Sequence, residues 1–231
     1  MGRPKRIDLG GYVYHVLNRG NGRMAIFDDA GDYDAFERIL EQAVKRETGV
    51  GVLAYCLMPN HWHLVLRPTA NGELSRFIRW VTLTHTQRWH AHRHTVGGGH
   101  VYQGRYKSFL VESEGYLATV CRYVERNAQR ANLVKRAEDW RWSSLHRWHT
   151  GSAQEKALLS PWPVAGGRRP PGWLERVNTP QTEAELDSLR RSVNRGQPLG
   201  GQAWQERMAR QFGLESTFRP KGRPKKSQAE G

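Results

Sequence analysis

The chain has 231 residues and a mass of 26.5 kDa, and its 36 Lys and Arg against 22 Asp and Glu give a net charge of +14. This excess of cations predicts a polyanionic partner, with nucleic acid as the first candidate, although charge alone does not separate DNA from RNA. The sequence has no apolar run of the roughly 20 residues that a membrane-spanning helix requires, and its basic N-terminus lacks the apolar stretch of a signal peptide. Its 2 cysteines do not have the dense spacing of a secreted disulfide scaffold. We therefore expect a cytoplasmic protein with reduced thiols and no membrane partner.

The spacing of apolar residues in the first part of the chain predicts a series of strands and helices. In chain order these are a strand at 12–17, a loop at 18–23, a helix at 32–46, strands at 53–58 and 61–67, a helix at 73–93, a strand at 108–112 and a helix at 114–130. Pro59 and Asn60 predict a tight hairpin between the second and third strands. The order β-α-β-β-α-β is the split ferredoxin-like pattern. We predict an α+β fold with an antiparallel sheet, the helices packed on one face, and one further helix.

The composition of the chain predicts a division into four parts. Residues 1–150 form the main domain with a basic N-terminal arm. Residues 151–180 are rich in Pro and Gly and are predicted to be a linker. Residues 181–214 predict two short helices, a small extension that we interpret as a helix-turn-helix-like DNA reader. Residues 215–231 predict a basic tail that is disordered when unbound.

Two histidines stand at the start of the third predicted strand, with one tryptophan between them. Because successive side chains of a strand alternate between its faces, His61 and His63 should project together while Trp62 takes the opposite face. Two neighbouring imidazoles provide half of a divalent-metal site. Spacing alone leaves open the alternative of two half-exposed strand histidines without a metal.

The helix predicted at 114–130 offers a way to complete such a site. Tyr123 and Asn127 are four residues apart, so they should lie on one helical face. The amide oxygen of Asn127 is a hard metal ligand, and Tyr123 could aim its hydroxyl at a group bound to the metal. Spacing alone favours an ordinary half-buried helix tyrosine at Tyr123. The alternative nucleophiles, none of which has an amide four residues on, are Tyr102, Tyr106 and Tyr116.

Five stretches, taken in order, resemble the REP-associated tyrosine transposases, relatives of the one-tyrosine HUH transposases of small bacterial insertion sequences. The stretches are Gly11–Gly20, Ala54–Leu66, Gln103–Ser108, Arg122–Val134 and Trp142–Ser144. The resemblance implies an HUH endonuclease domain in which His61 and His63 bind a metal, Asn127 supplies the third metal contact and Tyr123 is the nucleophile. The chain departs from the family at Ala128, where the family usually has Pro, and this departure should let the helix run on without removing a ligand.

The resemblance also implies a reaction, a cofactor and a substrate. The enzyme would be a metal-dependent single-stranded DNA endonuclease and strand transferase that acts on hairpin-forming palindromic repeats through a covalent 5′-phosphotyrosine. A tyrosine with a pKa near 10 is a poor nucleophile at pH 7, and a divalent ion would offset the charge that develops on the phosphate. Two imidazoles and one amide oxygen suit Mg²⁺ or Mn²⁺. We expect a monomer that works at the bacterial nucleoid.

The candidate DNA contacts are cations beside aromatic, Gly or Pro residues, together with one aromatic ring on which a base can stack. They are Arg3, Lys5, Arg6, Arg19, Arg105, Tyr106, Lys107, Arg219, Lys221, Arg223, Lys225 and Lys226. The run 219–226, and in shorter form 2–6, looks like an AT-hook, whose Gly-Arg-Pro core lies in the narrow minor groove of A·T-rich duplexes. A generic solvated run of charge is the alternative for the tail.

The function and the rest of the motifs admit competing interpretations. A non-catalytic or domesticated DNA-binding protein on the same fold, and a replication or conjugation initiator, are the alternatives to the transposase. Metal-dependent nicking separates the enzyme from the DNA-binding protein. The histidines between 85 and 100 lack a Cys or carboxylate partner at ligand spacing, so we predict a solvated, DNA-facing helix end rather than a zinc site. Residues predicted to serve packing are Cys56, Cys121, Trp140, Trp142 and Trp148.

Overall fold

A computed structural model describes residues 6–219. Its strands are β1 (Val13–Arg19), β2 (Val50–Met58), β3 (His61–Pro68) and β4 (Lys107–Val111). Its α-helices are α1 (Ala30–Arg46), α2 (Glu73–His92), α3 (Ser113–Glu125), α4 (Asn127–Arg130), α5 (Ser144–Thr150), α6 (Ala153–Lys156), α7 (Trp173–Asn178), α8 (Glu183–Arg195) and α9 (Gln202–Phe212). Single turns of 3-10 helix lie at Asn21–Arg23, Ala137–Asp139, Ala165–Gly167 and Glu215–Thr217. Within residues 6–219, no helix has the length and apolarity needed to cross a membrane.

The four strands form one antiparallel sheet in the order β2-β3-β1-β4. Helix α1 connects β1 to β2, and helix α2 connects β3 to β4. This is the split βαββαβ arrangement, so the predicted α+β fold is confirmed. The predicted hairpin is also present, since β2 ends at Met58 and β3 begins at His61.

Two strands are longer than their sequence pattern predicts. Strand β1 extends to Arg19 because its last two residues still pair with β3. Strand β2 begins at Val50 rather than at residue 53, and its pairing register with β3 shifts between Val52 and Ala54. A β-bulge of this kind breaks the alternation of side chains, which is why the pattern reveals only the second part of the strand.

Helices cover both faces of the sheet. We call the apolar layer between the sheet and helices α1 and α2 the upper core; it includes Phe36 and Phe77 with Trp62 from β3. The predicted packing on one face is confirmed for these two helices of the βαββαβ unit. The opposite layer, here the lower core, is formed by α3, α5, α7 and α8, with Val120 and Val124 among its buried residues. The lower core is the layer on the histidine side of β3.

The helix predicted at 114–130 is interrupted twice. Gly115 has a φ of +85°, a left-handed conformation that prevents a regular first turn. Arg126 then separates α3 from α4. Arg126 nevertheless keeps a helical conformation, its amide donating to the Arg122 carbonyl over 3.0 Å and its carbonyl accepting from the Arg130 amide over 2.9 Å. Tyr123 and Asn127 therefore remain one helical turn apart.

The Pro- and Gly-rich segment 151–180 contributes side chains to the lower core. Trp162 and Trp173 are buried. Nη1 of Arg169 donates to both carboxylate oxygens of Glu125, over 2.7 and 2.9 Å, and both side chains are almost fully buried. The segment is therefore tied to the helix that carries Tyr123. The division of the chain into four parts stays a prediction.

Helices α8 and α9 lie on either side of the β4 edge. Leu189 of α8 belongs to the lower core, whereas Met208 of α9 belongs to the upper core. Between them, the Leu199 amide donates to the Leu110 carbonyl and the Leu199 carbonyl accepts from the Glu112 amide, each over 2.8 Å. The two predicted helices are confirmed, and their role as a helix-turn-helix-like reader stays a prediction.

The packing predictions for cysteine, tryptophan and histidine have different outcomes. Cys56 and Cys121 are buried and free, and Trp140 and Trp142 pack against the core, as predicted. The prediction of a solvated helix end is wrong for His85, which is only 4% exposed because it faces the upper core from the inner side of α2.

Candidate active site

The two strand histidines share one face of β3, as the alternation predicts. The ring centroids of His61 and His63 are 5.0 Å apart, and the rings are nearly perpendicular. Trp62, between them, points into the upper core on the opposite face. His63 is buried, while His61 is partly open.

Each of these imidazoles is held through its Nδ1 atom. His61 Nδ1 lies 2.6 Å from Oδ1 of Asn60, and His63 Nδ1 lies 2.8 Å from Nε2 of His15. Among the described residues, neither His61 nor His63 has a hydrogen-bond partner at Nε2. Nε2 is therefore the atom that each ring can offer to a metal.

Burial keeps both histidines neutral at physiological pH. It lowers the pKa of His61 to about 4, with smaller contributions from the charges of Arg19 and Arg130. The pKa of His63 lies well below its ordinary value, again mainly because of burial and then because of His15 and His61. Neutral imidazole is the form that ligates metals.

Helix α3 brings the predicted nucleophile to the same place. The ring centroid of Tyr123 lies 6.0 Å from that of His63, at an interplanar angle of 89°, and 6.1 Å from that of His15. Tyr123 is 9% exposed. His63 and Tyr123 are 60 residues apart in the sequence. The fold of a single chain therefore brings the tyrosine close to the histidine pair.

Asn127 and Tyr123 contact the same arginine. Nη2 of Arg130 donates to Oδ1 of Asn127 over 2.6 Å, and the guanidinium carbon of Arg130 lies 4.1 Å from the centroid of the Tyr123 ring. Nδ2 of Asn127 is buried and has no partner among the described residues. The oxygen of Asn127 keeps a second lone pair, so it can accept the arginine and still ligate a metal.

Sequence reasoning gave no role to His15 and Arg130, although both lie in stretches that carry the family resemblance. His15 is fully buried on β1, opposite in phase to Tyr14 and Val16, which belong to the upper core. The strand alternation around His15 was the available signal for its orientation. Its contact with His63 depends on the pairing of β1 with β3, which the sequence alone does not provide.

The alternative nucleophile Tyr102 serves the upper core. Its hydroxyl accepts from Nε1 of Trp62 over 3.0 Å and donates to Nδ1 of His85 over 2.7 Å. Burial raises the pKa of Tyr102 above its ordinary value. This buried chain of hydrogen bonds anchors Trp62, and with it the strand that carries both histidines. As for the two remaining candidate tyrosines, Tyr106 lies under the guanidinium of Arg6, and Tyr116 is half-buried on α3.

A cavity of about 570 Å³ lies along β1 and β4, and its lining includes Arg19, the residue of β1 that pairs with His61 of β3. Predicted DNA contacts that line it are Arg6, Arg19, Arg105, Tyr106 and Lys107. Lining residues that sequence reasoning missed include Asn18, Gln103, Asn194 and Arg195.

The remaining predicted DNA contacts lie at the two ends of the chain. Arg219 ends the described part, where its carbonyl accepts from Arg195. The contacts predicted outside the described residues are Arg3, Lys5, Lys221, Arg223, Lys225 and Lys226.

A family model described as "Transposase IS200 like" matches residues 9–127, slightly more than half of the chain. The chain belongs to the IS200-like transposase family. This transposase is therefore a DNA-cleaving and strand-transfer enzyme. The matched residues include both strand histidines, Tyr123 and Asn127.

Two solved structures are similar to the transposase. A REP-associated tyrosine transposase bound to a REP hairpin is 16% identical, with a TM-score of 0.53 over 74% of this chain and 99% of the other. A putative transposase from Deinococcus radiodurans R1 is 22% identical, with a TM-score of 0.38 over 54% of this chain and 95% of the other. At 16% identity, the first likeness shows a shared fold. No curated protein matches the chain.

Proposed function

We propose that this transposase is a metal-dependent single-stranded DNA endonuclease and strand transferase that cleaves hairpin-forming palindromic repeats. Tyr123 would form a covalent 5′-phosphotyrosine with the DNA. The observation that carries the proposal is the position of the Tyr123 ring, 6.0 Å from that of His63 within a single chain. The likeness in fold to a transposase bound to a REP hairpin supports the choice of substrate.

His61, His63 and Asn127 are the residues that would hold a divalent ion, Mg²⁺ or Mn²⁺. Their chemistry fits, because both imidazoles are neutral with an unengaged Nε2 and the amide oxygen of Asn127 has a lone pair to offer. In the described part of the chain, no three His, Cys, Asp or Glu side chains are grouped to bind a metal. In this proposal the third protein ligand is the amide oxygen of Asn127. When bound, the ion would polarise a non-bridging oxygen of the scissile phosphate.

Tyr123 performs the bond exchange. Its phenolic oxygen attacks the phosphorus, an O–P bond to tyrosine forms, and the bond from phosphorus to the 3′ oxygen breaks. The phenolic proton leaves to solvent, and the departing 3′ oxygen takes up a proton to become a hydroxyl. The phosphoester count is unchanged, so an incoming 3′ hydroxyl can reverse the step and join strands without ATP.

The cavity along β1 and β4 is the proposed route of the single strand. Arg19, Arg105 and Lys107 provide cations for phosphates, and Tyr106 provides a ring on which a base can stack. The basic residues outside the described part are proposed to contact A·T-rich duplex DNA. Because one chain places the Tyr123 ring 6.0 Å from that of His63, we propose that a monomer is active. A DNA substrate would place this work at the bacterial nucleoid.

A covalent-adduct assay tests the proposal. The full chain is incubated with Mn²⁺ and a hairpin-bearing single strand labelled at its 3′ end, and the products are separated under denaturing conditions. The label should migrate with wild type and with the control Tyr116→Phe, and not with Tyr123→Phe or after addition of EDTA. A labelled adduct in Tyr123→Phe would place the nucleophile elsewhere. Hairpin binding by wild type without any adduct would favour a non-catalytic DNA-binding protein.

A further inference from the structure

Arg130, the last residue of α4, holds a position to which the proposed reaction assigns no role. Its guanidinium carbon lies 4.1 Å from the Tyr123 ring centroid, and its Nη2 donates to Oδ1 of Asn127 over 2.6 Å. Its Nη1 is buried and has no hydrogen-bond partner among the described residues. Arg130 thus contacts both the proposed nucleophile and a predicted metal ligand, and its Nη1 is a donor that no described residue accepts.

We propose that Arg130 is a catalytic residue whose free Nη1 donates to a non-bridging oxygen of the scissile phosphate as Tyr123 attacks. This inference rests on the proposed function of the site. The attack adds negative charge to the phosphate oxygens, and a guanidinium beside them stabilises that charge more in the transition state than in the ground state.

Buried donors without a partner cluster in the sequence around Arg130, and an anionic ligand would satisfy them. A buried N–H without an acceptor is destabilising, so such groups are rare unless a ligand completes them. Here three occur within five residues, at Nε of Arg126, Nδ2 of Asn127 and Nη1 of Arg130, beside one buried acceptor without a partner, Oε1 of Gln129. All three are donors, and a phosphate oxygen is the acceptor that a guanidinium recognises best.

The nearest carboxylate in sequence does not neutralise these cations. Glu125 is fully buried and binds Arg169, Ser144 and Trp173. Arg122 pairs with Glu185, with Nη1 and Oε1 3.4 Å apart, whereas Arg126 and Arg130 form no ion pair with any residue in the described part of the chain. The positive charge is therefore available to a bound phosphodiester.

The alternative role for Arg130 is structural, as a clamp that orients Asn127 and stacks on Tyr123. The two roles differ in what they predict for metal binding. The Arg130 guanidinium is positively charged and donates to Oδ1 of Asn127 over 2.6 Å, so its charge opposes a second cation beside that oxygen. If Arg130 is a clamp, removing its side chain should lower the affinity for the metal. If Arg130 acts through its charge on the phosphate, removing that charge should leave the metal affinity unchanged or raise it.

The test compares Mn²⁺ affinity with cleavage in the full chain. Arg130→Met, Arg130→Lys and wild type are compared, with Arg190→Met as a control because Arg190 is exposed on α8. Mn²⁺ affinity is measured by electron paramagnetic resonance without DNA. Cleavage is measured as the single-turnover rate on a saturating hairpin, and circular dichroism checks the fold.

We expect Arg130→Met to bind Mn²⁺ at least as tightly as wild type while its cleavage rate falls by about 10²- to 10³-fold. Arg130→Lys should recover part of the rate, because lysine keeps the charge but not the planar fork. A cleavage rate in Arg130→Met within about threefold of wild type would overturn the inference, as would a parallel loss of Mn²⁺ affinity and rate. Absence of any adduct in wild type would instead overturn the proposed function, and the inference with it.

Discussion

Nε2 of His15 lies 2.8 Å from Nδ1 of His63, and the two rings are stacked with an interplanar angle of 20°. Only one of these nitrogens can carry the shared proton. If His63 is to offer the lone pair of its Nε2 to a metal, its Nδ1 must be the donor and His15 the acceptor. His15 then carries its proton on Nδ1, which is buried and has no partner among the described residues. His15 therefore helps to set the tautomer of the proposed ligand.

Replacing His15 should weaken metal binding without removing a ligand. Loss of a group that orients a metal-bound histidine typically costs about 10- to 100-fold in affinity, and we expect a decrease of this size in Mn²⁺ affinity for His15→Phe. His15→Gln should lose less, because its amide oxygen can still accept from His63. The measurement is Mn²⁺ titration followed by electron paramagnetic resonance, with the exposed His92→Gln as the control. Affinity in His15→Phe equal to that of wild type would show that the contact does not matter for the metal.

Acidification should destabilise the fold through His85, which is buried in the upper core. Burial lowers the pKa of His85 to about 3 in the folded chain, with a small opposing effect from Asp32 and a small additional one from Arg93. The unfolded chain has an ordinary pKa of about 6.5 and so binds more protons below that pH. The stabilisation is therefore complete above pH 6.5 and is lost as the pH falls towards 3, by up to about 1.4 kcal/mol per pH unit.

Urea unfolding between pH 4.5 and 7.5 measures this dependence. His85→Phe should be less stable than wild type at pH 7.5, because Tyr102 loses its acceptor. Its free energy of unfolding should nevertheless fall less steeply with decreasing pH. Equal slopes for the two proteins would mean that His85 does not titrate differently in the folded and unfolded chains.

Separating Arg169 from Glu125 should destabilise the lower core strongly. The pair is buried, and Arg169 also lies between 5.2 and 5.8 Å from three tryptophan rings, those of Trp148, Trp162 and Trp173. Removing one partner of a buried pair leaves an uncompensated charge, so Arg169→Met should cost about 3–5 kcal/mol of unfolding free energy.

Urea unfolding at pH 7.5 measures this loss of unfolding free energy and compares it with the loss caused by breaking an exposed ion pair. Arg190→Met removes the partner of Asp187 on the surface of α8 and should change stability by about 0–1 kcal/mol. Arg169→Met combined with Glu125→Gln should cost less than the sum of the two single changes. A cost for Arg169→Met as small as that for Arg190→Met would contradict the role of segment 151–180 in holding α3.

The order of strands and helices could be predicted because apolar periodicity is a local property of the sequence. The spacing of His61 with His63, and of Tyr123 with Asn127, predicts in the same way that each pair shares one face of a strand or helix. The roles of these residues as metal ligands and nucleophile are implied by the family resemblance and stay predictions. The bulge in β2 was missed because it removes the alternation on which the prediction depends.

Contacts between distant parts of the chain could not be predicted in this way. His15 meets His63 only through the pairing of β1 with β3, and Arg169 meets Glu125 across 44 residues. The composition of segment 151–180 suggested a linker because Pro and Gly dominate it, while one buried arginine and two buried tryptophans attach it to the lower core. The composition of a short segment does not indicate which distant residues it contacts in the folded chain.

Peptide mapping of the covalent adduct tests the central claim most directly. The transposase is reacted with Mn²⁺ and a hairpin-bearing single strand, the adduct is digested with nuclease and protease, and the modified peptide is sequenced by tandem mass spectrometry. We expect a nucleotide joined through its 5′ phosphate to Tyr123, with a free 3′ hydroxyl on the released fragment. A nucleotide on any other residue, or one joined through a 3′ phosphate, would contradict the assignment of Tyr123 as the nucleophile.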